Sequence, residues 1–386
     1  MTSPALPRAL WALMAGNFVI GTGVMVVPGT LNELSSSLGV SIPQAGQLIT
    51  AAAILMGLGA PLFATLVAGW DRRRLLAWSL VWYGLLHAAC ALAPNYAALL
   101  PLRVLAVVAP AVFTPQAAAS VGLLVPDHQR GRAITFVFLG WSVASVMGMP
   151  LSAWIGGELG WRWAFGLVAL MSLASGLWVW RAMPDGIRPA ALSRQSWRIT
   201  LGSAPLMLTV GVTLLFAFGQ FTLFSYFAPY FAQTLGLGGA GLSLLFLWFG
   251  AFGLLGNMLV TRWIDRTGAA RAVLLTLGLI SLSLLLWPLG RGSWWLQALV
   301  MVPWALGCFS GNSAQQARLV HQSPVLAPAT VALNTSAMYG GQALGAALGG
   351  LLIAHGQMLN LHWVGLGLMA LAMALSAIVG RAKPLH

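Results

Sequence analysis

The sequence predicts an all-α membrane protein: twelve transmembrane helices in two pseudo-symmetric six-helix bundles. Three observations predict it. Only 6% of the 386 residues are charged and 59% are apolar, whereas about a quarter of a soluble domain is charged. The apolar residues fall into runs of about 17–25, the length that crosses a bilayer core as a helix. A charged hairpin occurs twice, as Gly69-Trp70-Asp71-Arg72-Arg73-Arg74 and as Arg262-Trp263-Ile264-Asp265-Arg266-Thr267-Gly268-Ala269-Ala270-Arg271. Asp71 and Asp265 stand 194 positions apart in a chain of 386, so the hairpins occupy matching places in two halves.

Between turn and charge signals the spans lie near 9–31, 43–69, 75–93, 97–124, 133–157, 163–182, 205–231, 240–261, 271–290, 294–317, 328–354 and 362–380. The first follows Arg8 and is longer than the apolar core of a signal peptide, with no convincing small-residue cleavage site after it. It reads as a retained span. Residues 1–183 form the first six-helix bundle, 184–203 a linker loop carrying Asp185, Arg188, Arg194 and Arg198, and 204–386 the second bundle. Cys90 and Cys308 both fall inside apolar runs, which excludes a disulfide framework and a cysteine metal site.

A net charge of +13 would suggest nucleic acid in a soluble protein. Here it marks topology instead. Arg8, Arg72–Arg74, Arg130, Arg132, Arg181, Arg188, Arg194, Arg198, Arg262, Arg266, Arg271, Arg318, Arg381 and Lys383 collect on one side, against Arg162 and Arg291 on the other. The basic side is cytoplasmic. Both termini and the linker are therefore expected inside, in a cytoplasmic (inner) membrane, with lipid and a small molecule as partners and the chain a monomer.

Spans three, six, nine and twelve contain no Asn or Gln, whereas most of the others do. Amides are costly in hydrocarbon and face a bundle interior or a water-filled cavity, so every third helix is expected at the periphery. Asn17, Gln116, Gln220, Tyr226, Asn312, Gln316, Asn334, Tyr339 and Gln342 are the candidate substrate-path residues, the alternative for each being an interhelical hydrogen bond. An uncharged, amide-lined path fits neutral or amphipathic molecules.

Twelve spans with a charged hairpin after spans two and eight resemble the major facilitator superfamily. Asp71 and Arg72 match its loop motif, and Asp265, Arg266, Gly268 and Arg271 match it more fully. The resemblance implies a gating latch at these residues, made and broken as the halves rock. Gly140, Gly148, Pro150 and Gly156 in span five resemble the glycine/proline packing motif of its proton-coupled antiporters, with Met149 separating Gly148 from Pro150. Arg103 in span four resembles the arginine that those antiporters link to proton transfer; outward snorkelling is its alternative role. Ile20-Gly21-Thr22, Tyr226-Phe227-Ala228-Pro229 and Gly253-Leu254-Leu255-Gly256-Asn257 are similar to the sugar-efflux branch, in which a glutamate usually stands where this chain has Val24.

None of the six acids lies at mid-membrane, where a proton antiporter commonly keeps a carboxylate. Glu33 paired with Arg103 is the expected substitute, the guanidinium lowering the carboxyl's pKa. His87, in peripheral span three, reads as a packed histidine. The sequence thus points to a secondary transporter, exporting a drug-like or sugar-like compound in exchange for H⁺, with no enzyme chemistry and no cofactor. A proton-independent uniporter or importer and a transporter-shaped sensor remain as alternatives.

Overall fold

Helices dominate because hydrocarbon offers backbone amides no hydrogen-bond partner, and a helix satisfies them internally. The computed structural model describes residues 7–67, 69–126, 129–188 and 194–381. The first half runs α1 (Arg8–Gly29), α2 (Leu31–Leu38), α3 (Ile42–Leu66), α4 (Arg72–Ala91), α5 (Tyr96–Ala106), α6 (Val108–Leu124), α7 (Arg130–Glu158) and α8 (Trp161–Ala182). After α9 (Arg194–Gly202), which occupies part of the expected linker loop, come α10 (Ala204–Phe224), α11 (Phe227–Leu235) and α12 (Gly239–Thr267). The second half ends with α13 (Ala269–Leu286), α14 (Trp294–Gln322), α15 (Ala327–Ala354) and α16 (Leu361–Arg381).

Among the described residues, ten segments are long and apolar enough to cross a membrane, α5–α6 and α10–α11 each counting as one. The two remaining long helices are more polar: α4 begins on Arg72–Arg74 and carries His87, and α14 carries Gln297, Asn312, Gln315, Gln316 and Arg318.

The sequence spans at 97–124 and 205–231 are not continuous helices, and proline accounts for both breaks. Proline lacks an N–H and its ring clashes with the carbonyl four residues earlier. α5 ends at Ala106, four before Pro110, and α10 ends just before Ser225, four before Pro229. A third proline, Pro28, stays inside α1 and leaves the Val24 carbonyl without its helical donor.

Within each half, small residues let helices touch. Gly140, Gly148 and Gly156 recur every eight positions on α7 and press in turn on Met14 and Phe18 of α1, on Thr22 of α1, and on Thr30 just past its end. A Cβ at Gly156 would stand 2.7 Å from Thr30 Cγ2, so this stripe tolerates no side chain without displacement. Gly341, Gly345 and Gly349 of α15 play the same part against α10.

Between the halves, α3 packs on α15 and α7 on α12. At the face opposite the arginine-rich ends the seam is tight. A Cβ at Gly157 of α7 would lie 2.6 Å from the Gly239 Cα of α12, and Tyr226 packs between Gly46 of α3 and Gly350 of α15. Closer to mid-membrane, Gly57 meets Ser336 and Gly340, and Gly250 meets Val146. Helices α4, α8, α13 and α16 pack chiefly against their own halves, α4 on α8 and α13 on α16.

Gly157→Val should hold this seam open. Spin labels at Gln44→Cys and Gln357→Cys, exposed positions on that face, are expected farther apart in the Gly157→Val background, and an unchanged distance would contradict the seam geometry. The native Cys90 and Cys308 are buried and should stay unlabelled.

Candidate functional site

At the arginine-rich face, Asp71 caps the helix that follows it. Its Oδ1 accepts from Arg74 N at 3.1 Å and its Oδ2 from Gly186 N at 2.7 Å. An acid at an N-cap satisfies orphan amides and meets the positive end of the helix dipole. Arg72 is buried and donates to the carbonyls of Val67 and Trp70, each at 2.9 Å. Its guanidinium pKa is held below the usual arginine value, by burial first, against the opposing pull of Asp71. Arg73 pairs with Asp185 at 3.1 Å and donates to Trp180 O at 2.7 Å. The first hairpin is thereby tied to the exit of α8. In the second hairpin Gly268 ends α12 at φ +80°, a conformation that favours glycine. Arg266 and Arg271 are exposed; the side chain of Asp265 lies outside the described residues.

The expected pairing of Glu33 with Arg103 does not form. Glu33 sits on α2, with its carboxyl facing Gly156 of α7, and its Oε2 is buried without a partner. Burial raises its pKa above the ordinary carboxylate value, against the smaller lowering effect of a backbone hydrogen bond. That is the reverse of the expected arginine effect. Arg103 is taken by other groups: Nη1 donates to Gly23 O at 3.0 Å and Nη2 to Val24 O at 3.4 Å. The carbonyl deprived of its donor by Pro28 is thus one that Arg103 fills. Nor does Arg103 snorkel, being 2% exposed.

Its Nη1 also lies 3.3 Å from His87 Nε2, while His87 Nδ1 lies 2.9 Å from Tyr83 O. A guanidinium only donates and a carbonyl only accepts. The imidazole is therefore neutral, with the proton on Nδ1 and the Nε2 lone pair turned to Arg103. Sequence reasoning classed His87 as packing alone. The available signal was the Val24–Pro28 spacing, which marks a free carbonyl deep in α1.

Several amides of the expected path are spent on interhelical bonds. Asn17 Nδ2 donates to Val137 O, and its Oδ1 accepts from Thr114, which in turn accepts from Trp141 Nε1. In the second half Thr213 donates to Asn334 Oδ1 at 2.6 Å, and Asn334 donates to Asn312 Oδ1 at 3.0 Å. Gln315 adds bonds to Thr209 O and Thr213. Tyr226 donates to Ala346 O at 2.6 Å and packs the seam. These residues fasten helices to one another.

Three of the expected residues are placed differently. Gln220 is 3% exposed, and its Oε1 has no hydrogen-bond partner. Gln342 lines a small cavity at the seam with Arg103, Val24, Ile49, Ala52, Ala53, Met56 and Val107. Tyr339 packs against the Val24, Ala52, Met56 and Val107 cluster beside it. Gln116 is buried and Gln316 half-buried. Among the described residues no three His, Cys, Asp or Glu side chains gather as a metal site.

Comparison with known proteins adds the following. The sequence profile of the Major Facilitator Superfamily matches residues 13–325. A chloramphenicol resistance protein of Streptomyces lividans is 32% identical over 348 residues, 87% of this chain and 88% of that protein. A probable sugar efflux transporter of Pasteurella multocida is 26% identical over 374 residues, covering 97% and 90% of the two chains. The crystal structure of a D-xylose–proton symporter superposes with a TM-score of 0.78 at 16% identity, over 96% of each chain.

Glu33 yields a pH signature. Its raised pKa means that the folded protein binds this proton more tightly than the unfolded chain does, so its stability contribution falls as pH rises through that window. Glu33→Gln is expected to raise the melting temperature at about pH 7, with the gain shrinking as pH falls towards about 4.5. Thermal melts in detergent across that range check it; a variant less stable at neutral pH would contradict the reading.

Proposed function

The chain belongs to the major facilitator superfamily, and from that premise we propose that it is a proton-coupled secondary transporter that moves a small neutral or amphipathic organic molecule out of the cell. The observation that carries transport by alternating access is the seam. Two bundles, each tied internally by glycine stripes and amide networks, meet through glycine and apolar contacts from one face to mid-membrane. Such a seam parts more readily than the bundles themselves, and parting it opens a central path to one side at a time.

The asymmetry of arginine supports placing the open side in the cytoplasm, with both termini there. Residues 1–183 and 204–386 then act as the two moving bodies and 184–203 as their tether. The hairpins at Asp71 and Asp265 serve as the latch on the cytoplasmic side. In the present arrangement Asp71 bonds only to Arg74 and Gly186 among its identified partners, which fits a latch disengaged while the opposite face is shut.

Cargo class follows from what lines the path. Gln220, Gln342, Gln116 and Gln316 offer hydrogen bonds without charge, and the chain's six acids all lie outside the spans. Molecules with hydroxyl or amide groups on an apolar frame suit such a lining. The names of the relatives, one for chloramphenicol and one for sugar efflux, support the same range. Arg103 supports proton coupling through its resemblance to the antiporter arginine.

The test is a pH jump on proteoliposomes that enclose a pH dye, with chloramphenicol and D-xylose as probes. An outward-directed probe flux that grows with an inward proton gradient, with alkalinisation of the proton-donating side, is expected. Flux indifferent to the gradient would replace the antiporter with a uniporter, and no flux of either probe would remove this cargo class.

A further inference from the structure

Arg103 carries a charge into the membrane without an acid beside it, for all six acids of the chain lie outside the spans. It is 2% exposed, and its terminal nitrogens are taken: Nη1 by Gly23 O and His87 Nε2, Nη2 by Val24 O. Carbonyls and a neutral imidazole satisfy N–H groups but leave the positive charge in place, since a guanidinium does not give up its proton in proteins. The remaining nitrogen, Nε, is buried without a hydrogen-bond partner. A buried N–H left open is costly, more so on a charged group, and an ordered water or ion is one way it is met.

Arg103 also forms part of the wall of the cavity at the seam. The cavity measures about 10 Å³, room for one particle of about a water molecule's size. Its other walls are apolar side chains, Val24 of α1, Ile49 and Met56 of α3 and Val107 after α5 among them. The exception is Gln342 of α15, which brings an amide from the other half.

These walls select what fills the space. A fixed positive charge excludes a cation. Water needs two to four polar partners, and the side chains supply two, a guanidinium and an amide, among apolar neighbours. An anion gains from the charge itself as well as from N–H donors, and apolar surroundings strengthen that attraction. Sulfonates, phosphates and carboxylates carry several heavy atoms and exceed the volume. A monatomic anion suits it, chloride being only slightly wider than water.

We propose that the cavity is a halide site, occupied by chloride as the abundant halide, and held by Arg103 together with the Gln342 amide across the seam. Such a site acts on the seam as well. Arg103, Val24 and the α3 residues belong to the first half and Gln342 to the second, so parting the halves removes one of the two polar walls. A ligand that binds the closed arrangement better than the parted one shifts the population toward closed. Chloride therefore favours the closed seam, and its loss eases opening. The site depends on the seam geometry and not on the direction or proton coupling of transport.

Thermal melts of the full chain in detergent test this, at constant ionic strength, with sodium gluconate replaced stepwise by sodium chloride or bromide. A saturable rise in melting temperature of about 2 °C or more is expected with either halide. None is expected when methanesulfonate, a monoanion too large for the cavity, replaces gluconate. Gln342→Leu keeps Arg103 and deletes the amide, and it is expected to raise the halide concentration at the midpoint at least about tenfold. No halide effect, or an equal one from methanesulfonate, overturns the proposal. An unchanged midpoint in Gln342→Leu places the halide elsewhere and overturns it too. Should that variant not fold, bromide-soaked crystals of the wild type decide: an anomalous peak against Arg103 and Gln342 upholds the site, and a cavity without one overturns it. None of these readouts involves transport, so the antiporter reading above stands or falls separately.

Discussion

Hydrocarbon offers no hydrogen-bond partner to a backbone amide, and an unpaired one in the bilayer costs several kcal/mol. Helices satisfy that demand everywhere except where proline removes a donor. Several prolines stand inside helices, and three places, at Pro28, Pro110 and Pro229, show two ways of meeting the loss. Near Pro110 and Pro229 one helix ends and another begins, so spans four and seven are interrupted rather than continuous. Pro28 leaves α1 continuous, and the carbonyl it frees at Val24 receives Arg103. One constraint thus interrupts two of the spans and gives a buried arginine of the first half its acceptor.

The same constraint separates the contacts that hold from those that part. Inside each half, polar side chains have fixed partners: Asn17 with Val137 and Thr114, Asn334 with Thr213 and Asn312. Breaking any of these in lipid strands a donor or an acceptor. At the seam the contacts are those of Gly157 with Gly239 and of Tyr226 with Gly46 and Gly350, where backbone meets backbone or ring. Separating such surfaces forfeits dispersion but leaves no amide bereft. Hydrogen bonds tie each half internally, whereas these seam contacts join the halves by close packing.

Much of this was legible in the sequence. Spans, charge bias, hairpins and the peripheral position of every third helix follow from composition along the chain, which a sequence states directly. What was not legible depends on helix rotation. Asn17, Asn312 and Asn334 read as path residues because an amide in a span must face inward, but that rule does not say whether it meets cargo or a neighbouring helix. Glu33 and Arg103 were paired because they lie at a similar depth. The turn at Thr30 sends Glu33 toward Gly156 instead, and the Val24 carbonyl claims the guanidinium. His87 was discounted because its helix is peripheral, yet peripheral in the ring of helices still permits a side chain to reach inward to α5. A Val24–Pro28 pair was the available clue to where Arg103 goes.

The absence of a mid-membrane carboxylate then becomes informative. A carboxylate that alternates between H⁺ and a cationic cargo must stand in the cargo's path. This chain has amides in its spans instead, and most of those amides are held by neighbouring helices. The buried charge near them is an arginine, and backbone carbonyls of α1 rather than a carboxylate receive it. A guanidinium that satisfies carbonyls needs no acid beside it, so the first half keeps a buried positive charge with no counter-ion in contact among the described residues. Gln342 of α15 lines the same small cavity as Arg103, and Tyr339 packs beside it, so that charge lies at the boundary between the halves.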